Sequence, residues 1–170
     1  LVTFGTGVIL VQEKDGLLKY QARSLSSIYL NSNDSGDITD VFREFEMPVW
    51  EVVKEFGLEN VSDKCKDMYE DPDTMDKKVK LLHQVYQRMD REYGKIDKLN
   101  KPWGSCYIEV EQKHLLQEGG FNNNPYIIVR WSKAAEEIYG RSPAMEVLPS
   151  IRVLNAMART TLEASELAIR

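Results

Sequence analysis

His83 and His114 are the only imidazoles of the chain and stand 31 residues apart. A metal centre would need cysteines or carboxylates at short spacing around them, and neither histidine has that company. His83 falls in alternation with Val79, Leu81 and Val85, so it reads as a hydrogen-bonded core residue, and His114 reads as a solvent-facing strand or turn residue. Cys65 and Cys106, 41 residues apart with no Cys-x-x-Cys, read as free thiols of a reducing compartment. Glu70, Asp71, Asp73 and Asp76 cluster around Pro72. Such a set could hold a divalent ion for hydrolysis, but an acidic run between two elements reads more simply as a solvated loop. Gly5-Thr6-Gly7 begins like a phosphate loop, yet Leu10 stands where the third glycine would fall and no Lys-Ser/Thr follows, which leaves a turn leading into a strand. The stretch from Asn31 through Asn33, Ser35 and Gly36 resembles a calcium loop until its twelfth position, where Phe42 replaces the required glutamate. With no Gly-x-Ser-x-Gly elbow either, nothing in these motifs argues for catalysis, a cofactor or a metal.

Charge narrows the partners. The chain has 27 acidic and 22 basic residues for a net charge of −5. A protein that grips nucleic acid gains affinity by neutralising phosphates and normally shows a basic surplus, so any contact with DNA must be local or weak. No apolar run approaches the ~20 residues of a membrane span, and Val8–Val11 is too short for a signal sequence. No membrane partner is expected, and the sequons at Asn33 and Asn60 read as chance. The chain begins at Leu1, which raises the expectation of a segment of something longer.

The elements that would carry these residues are mostly strands. Val8–Val11 and Leu17–Ala22 flank Asp15-Gly16, a strong hairpin signal because both turn residues tolerate positive φ. Leu18, Tyr20 and Ala22 alternate as on a half-buried strand. Ile28–Leu30 and Ile38–Phe45 form a second hairpin with a longer loop. Pro48 opens a short helix with Val49, Val53 and Phe56 on one face and Gly57 at its end, and Ser62 caps another through Glu70. Val79–Tyr86 alternates, with Val79, Leu81, His83 and Val85 inward. Cys106, Ile108 and Val110 repeat that pattern, and Tyr126–Trp131 reads as a buried strand. Pro143 and Pro149 are acceptable only early in a helix, so a long amphipathic helix is predicted over 150–170. Its stripes are Ile151, Leu154, Ala158, Leu162, Ser165 and Ile169, and Arg152, Arg159, Glu163, Glu166 and Arg170. The fold class is α+β: a mostly antiparallel sheet with two short helices and a long C-terminal helix.

Three stretches together carry a resemblance: Asp40 to Phe45 with the helix after it, Lys80 to Tyr86, and above all the run from Asn124-Pro125-Tyr126 through Arg130-Trp131 and Tyr139-Gly140-Arg141-Ser142-Pro143 to Pro149, Asn155 and the helix beyond. In these the chain resembles the portal (head-to-tail connector) family of short-tailed bacteriophages, over nearly its whole length. The signature residues are Trp131, Tyr139, Gly140, Arg141, Pro143, Pro149 and Asn155. Family members are several hundred residues long, so the resemblance implies an internal segment. It further implies a wing-like sheet region over 1–140 and a stem-like helical segment over 141–170. The family forms rings of about twelve subunits, closed by heterologous contacts. Their channel passes double-stranded DNA during packaging and ejection, and terminase, capsid and tail or adaptor proteins are the partners. The expected location is the virion, assembled in the host cytoplasm. Arg152, Arg159, Glu163 and Glu166 are the candidates to face the channel, the acids offsetting the arginines so that DNA slides.

Two other readings compete. One is a protein–protein interaction module whose terminal helix packs on a partner, which self-association on two distinct faces would argue against. The other is a metal-dependent hydrolase built on Glu70 to Asp76, which thermal stabilisation by divalent ions would favour and a flat response would oppose.

Overall fold

A computed structural model describes residues 1–170 apart from Asp15, Tyr93, Ile96 and Arg170. Its elements are β1 (Thr6–Lys14), β2 (Leu17–Arg23), β3 (Ile28–Ser32), β4 (Ile38–Pro48), α1 (Val49–Phe56), α2 (Asp63–Glu70), β5 (Lys78–Gln87), β6 (Trp103–Glu109), β7 (His114–Phe121), β8 (Tyr126–Arg130) and α3 (Pro143–Ile169). This is the α+β class expected, but the strands divide between two sheets, of order β2-β1-β8 and β3-β4-β5-β6-β7. The chain forms two compact units, residues 8–127 and residues 1–7 with 128–170.

Alternation makes β5 the centre of the larger sheet. Val79, Leu81, His83 and Val85 are all buried, as predicted. Every pairing in this sheet is antiparallel. Its register sets Arg43 opposite His83, His83 opposite Tyr107 and Tyr107 opposite Gln117, one row of side chains across four strands. Helix α1 covers the sheet with Val49, Val52, Val53 and Phe56, which join Val61, Cys65, Leu81 and Leu116 in one cluster. Gly57 ends α1 with φ 88° and its N–H on the Val53 carbonyl, a conformation that disfavours a side chain. Ser62 caps α2 by accepting from the Cys65 N–H at 3.3 Å. In the β3–β4 loop the Asn33 side chain accepts the Asp37 N–H at 2.8 Å, and Gly36 takes φ 80°, a hairpin turn. Lys14 pairs with Leu17 across the first hairpin, of which Asp15 lies outside the described residues.

Five expectations need correction. The stretch Tyr126–Trp131, which holds β8, is not buried throughout: Tyr126 is buried, but Ile127, Val129 and Trp131 are exposed. On β6 the core side is Ser105, Tyr107 and Glu109, not Cys106, Ile108 and Val110: Ser105 and Glu109 are buried while Val110 is exposed. Polarity misleads there because the inward residues are bonded partners of others in the core. The Ser62 hydroxyl donates to Glu109 Oε1 at 3.0 Å, and Ser105 serves His83. Strand β7 was not anticipated, since Gly119-Gly120 reads as a break. Its first residue, His114, donates through Nε2 to the Asn60 carbonyl at 3.0 Å. Strand β2 lies at a sheet edge, so Leu18 and Tyr20 are exposed and not half-buried. Finally, α3 starts at Pro143, and Pro149 lies inside it.

His83 is fully buried, with Nδ1 2.9 Å from the Tyr126 hydroxyl and Nε2 3.0 Å from the Ser105 hydroxyl. In a neutral ring one nitrogen donates and the other accepts, and hydroxyls can serve either way. Tyr107 stacks on the imidazole, rings parallel and 4.1 Å apart. Burial, then the charges of Arg43 and Arg23, push His83 down to about 3 from 6.5. Between those values the unfolded chain binds a proton that the folded chain refuses, so stability falls as pH drops below 6.5. Unfolding free energy measured by urea titration should decrease by about 2 kcal/mol from pH 8 to pH 5. The His83→Gln protein should lack most of that slope. An equal slope in both proteins would refute the assignment.

Candidate functional site

The loop before α3 is built from short backbone approaches. Gly5 has φ +70° and lies directly against Gly140: a Cβ on Gly140 would sit 2.4 Å from the Gly5 carbonyl oxygen. The Trp131 N–H donates to that same carbonyl at 2.8 Å, and the Gly140 N–H donates to Thr6 Oγ1 at 2.8 Å. Ser132 and Arg141 form a bridge through the Arg141 N–H and Ser132 carbonyl, 2.7 Å apart. The Arg141 guanidinium grips Glu137 through Nε, at 3.0 Å from each carboxylate oxygen, and holds that carboxyl below its usual range. Ser142 is fully buried, and its hydroxyl donates to the Thr3 carbonyl at 2.8 Å while accepting the Met145 N–H at 3.1 Å. Ser142 is therefore the N-cap of α3 and Pro143 its first residue, where the missing N–H costs nothing.

This explains much of the signature read in the sequence. Gly140 is required by the approach of Gly5, Arg141 anchors the loop to Glu137, and Ser142-Pro143 starts the helix. Trp131 and Tyr139 present exposed rings, 56% and 38% accessible. Asn155 and Pro149 lie on exposed turns of α3. The structure shows no local role for Asn155.

Helix α3 has 27 residues, none of them buried, and spans about 40 Å. Arg152, Arg159, Glu163 and Glu166 are exposed and fall within an arc of about 60° at helical spacing. Arg159 Nε donates to Glu163 Oε1 at 2.8 Å, so half of this stripe is internally neutralised. Arg170, the last residue assigned to the stripe, lies outside the described residues. Apolar side chains are not confined to the predicted face, because Val153, Met157 and Leu167 stand outside it. Exposure of the large apolar residues runs from 42% at Leu148 to 87% at Ile169. The hydroxyls of Thr160, Thr161 and Ser165 donate back to the carbonyls of Ala156, Met157 and Thr161 at 2.8–3.0 Å, which satisfies those three donors within the helix. A helix with apolar residues on several sides is built to be covered. It is nonetheless not apolar enough to cross a membrane, nor is any other helix among the described residues.

The acidic residues Glu70, Asp71, Asp73 and Asp76 are exposed around the turn after α2. No group of three or more metal-ligating side chains occurs among the described residues. Cys65 is buried and Cys106 half-buried, both as free thiols, with burial pushing Cys65 up to about 11.

The loop is thus anchored by a glycine–glycine contact and launches a long helix with no buried residue. All 170 residues match the family described as bacteriophage head to tail connecting protein, and the chain belongs to that family. It is similar to the portal protein of Salmonella phage epsilon15, with 35% identity over 158 residues. It is also similar to a protein described as the probable portal protein of Bordetella phage BPP-1, with 29% identity over 157 residues. Each match covers 91% of this chain and 28% of the relative, so the chain spans little more than a quarter of their length.

The glycine contact is testable. In the Gly140→Val protein the new side chain meets backbone that cannot step aside, at a cost of roughly 1–3 kcal/mol. Amide exchange should speed up at Trp131 and Arg141 and stay unchanged at Leu81 and Val85. Unaltered exchange at the first pair would show that the contact carries no weight.

Proposed function

We propose that this chain is part of a structural ring subunit that forms the DNA channel at the head-to-tail junction of a phage particle. About a dozen copies close by heterologous contacts, each presenting two different faces to its neighbours. The observation that carries this is the bareness of α3. A helix draws most of its stability from packing, and here none of 27 residues is buried within the chain. Neighbouring copies supply that cover in a ring, and the small residues Ala156, Ala158, Ala164 and Ala168 allow them close approach. Family membership supports the same reading. On this proposal the wing-like sheet region covers 1–140 and the stem-like helix 141–170. The molecule acts without cofactor or catalysis in the virion, after assembly in the host cytoplasm. Terminase, capsid and tail or adaptor proteins dock on the ring, and double-stranded DNA passes through it.

Arg152, Arg159, Glu163 and Glu166 face the channel in this reading. A purely basic wall would release counterions and hold the duplex, and the Arg159–Glu163 pair prevents that. Electron cryo-microscopy of the full-length polypeptide that carries this segment should show closed rings with α3 packed between copies. A monodisperse monomer at micromolar concentration would refute the ring. For the channel, Glu163→Gln with Glu166→Gln should raise duplex affinity and steepen its salt dependence by about one to two counterions. Identical salt slopes for both rings would move the stripe out of the channel.

A further inference from the structure

A cleft of about 410 Å³ opens in the sheet unit, with Arg23 of β2 and Arg43 of β4 both lining it. Arg43 belongs to the row that contains His83 and Tyr107, and its guanidinium lies over the Phe45 ring, 4.0 Å from the centroid. Arg23 donates through Nη2 to Gln21 Oε1, while its Nε is buried without a partner. Among the described residues neither guanidinium has a carboxylate within 4.0 Å. Three glutamates also line the cleft: Glu46, which reaches towards Lys78 at 4.0 Å, and Glu51 and Glu55 on the exposed side of α1. Burial and the neighbouring Arg23 charge both lower the pKa of Arg43.

Two like charges in a half-desolvated cleft call for an anion, and guanidinium forks suit a planar carboxylate held through two bonds. The glutamates limit its size. A nucleic-acid backbone would bring a line of phosphates against Glu46, Glu51 and Glu55, whereas a single carboxylate reaches the arginines without that repulsion. The chain offers such groups elsewhere. Glu70, Asp71, Asp73 and Asp76 are exposed and make no ion pair among the described residues. Their segment is ordered: Val49 and Trp50 N–H groups donate to the Lys77 and Met75 carbonyls, and the Asp73 N–H to Asp71 Oδ1. Thus one molecule carries an uncompensated arginine pair and an uncompensated acidic ledge, neither of which pairs with the other in the same copy.

We propose that the Arg23–Arg43 cleft receives a carboxylate from the acidic segment 70–76 of a second copy of this chain, an inference that rests on the ring reading above. A cleft on one face and a ledge on another make a heterologous contact, the kind that closes into rings.

The test uses two full-length charge-reversed proteins, Arg23→Glu with Arg43→Glu, and Asp71→Lys with Asp73→Lys, each checked for wild-type circular dichroism. Native mass spectrometry follows ring formation against concentration. Each variant alone should need a concentration about 30-fold higher or more, since truncating or reversing one member of a desolvated charge pair is costly. An equal mixture should assemble like wild type, because every interface then pairs opposite charges. If both variants assemble unaided as wild type does, or if the mixture fails like its components, the cleft–ledge contact is refuted while the ring stands. If wild type forms no ring, it is the ring reading that falls. Assembly intact with loss of duplex retention in the arginine variant would assign the cleft to phosphate and overturn the proposal. Should the glutamate variant misfold, Arg23→Gln with Arg43→Gln removes the charges without reversing them and should still raise the assembly concentration; no change would count equally against the contact.

Discussion

His83 lies on the central strand of the five-stranded sheet, fully buried, and an imidazole there must have both nitrogens bonded or leave a polar atom stranded in a medium that cannot solvate it. The partners come from different places. Ser105 is on the neighbouring strand, two residues before the Tyr107 whose ring stacks on the imidazole, while Tyr126 belongs to the three-stranded sheet. One hydrogen bond therefore ties the two sheets, and any slip in register between β5 and β6 would break the other. The same demand fixes which face of β6 turns inward, since the strand must present Ser105 and Tyr107 together. It also sets a condition on the arginines beside it. Arg43 lies next to His83 in the row and can coexist only with a neutral ring, so the positive charge gathers in the open cleft and not in the core.

The terminal helix obeys the opposite logic. The sheet unit buries its apolar residues in clusters of its own, whereas α3 buries none. What its own chain provides is a start. Ser142 caps it, Pro143 sets the first φ, and Gly140 lets the loop close against Gly5. Pro149 removes one intrahelical donor from the second turn and so weakens the helix further in isolation. A well-capped beginning thus precedes a body that buries no residue within the chain.

Much of this was legible in the residues. Strong alternation from Val79 to Val85 marks β5, and Ser62 and Gly57 mark helix ends, because these signals are local and each has one physical meaning. The portal-family signature was legible for a related reason: Gly140, Arg141, Ser142 and Pro143 each satisfy a separate constraint of the same turn. What failed was everything that depended on a distant partner. The inward face of β6 is polar because His83 and Ser62 need it to be, and nothing near Ser105 or Glu109 in the chain announces those partners. Gly120 suits β7 because Lys98, Lys101 and Trp103, distant in the chain, crowd it. The start of α3 is hidden because two prolines both suit an early helix position, and only Pro143 holds it while Pro149 lies inside. The arginine pair left no trace in the sequence at all, since Arg23 and Arg43 meet only through the packing of two sheets.

If copies close into the proposed ring, assembly and folding are coupled at one element and separable at the other. Ligation of a partner stabilises whichever state presents the binding surface, and the gain is largest where that surface is unsupported in the free subunit. The sheet unit, with its own core, has little to gain in structure from a neighbour and offers charge for orientation. The helix has its whole apolar surface to gain. Contacts made by ordered, charged sites guide which copies meet and in what register, whereas apolar contacts hold them once met. A subunit arranged in this way resists premature collapse onto itself. Its most apolar exposed surface lies on a helix whose Thr160, Thr161 and Ser165 hydroxyls are already bonded and whose charged stripe is half neutralised, so that what remains to be satisfied is largely apolar contact.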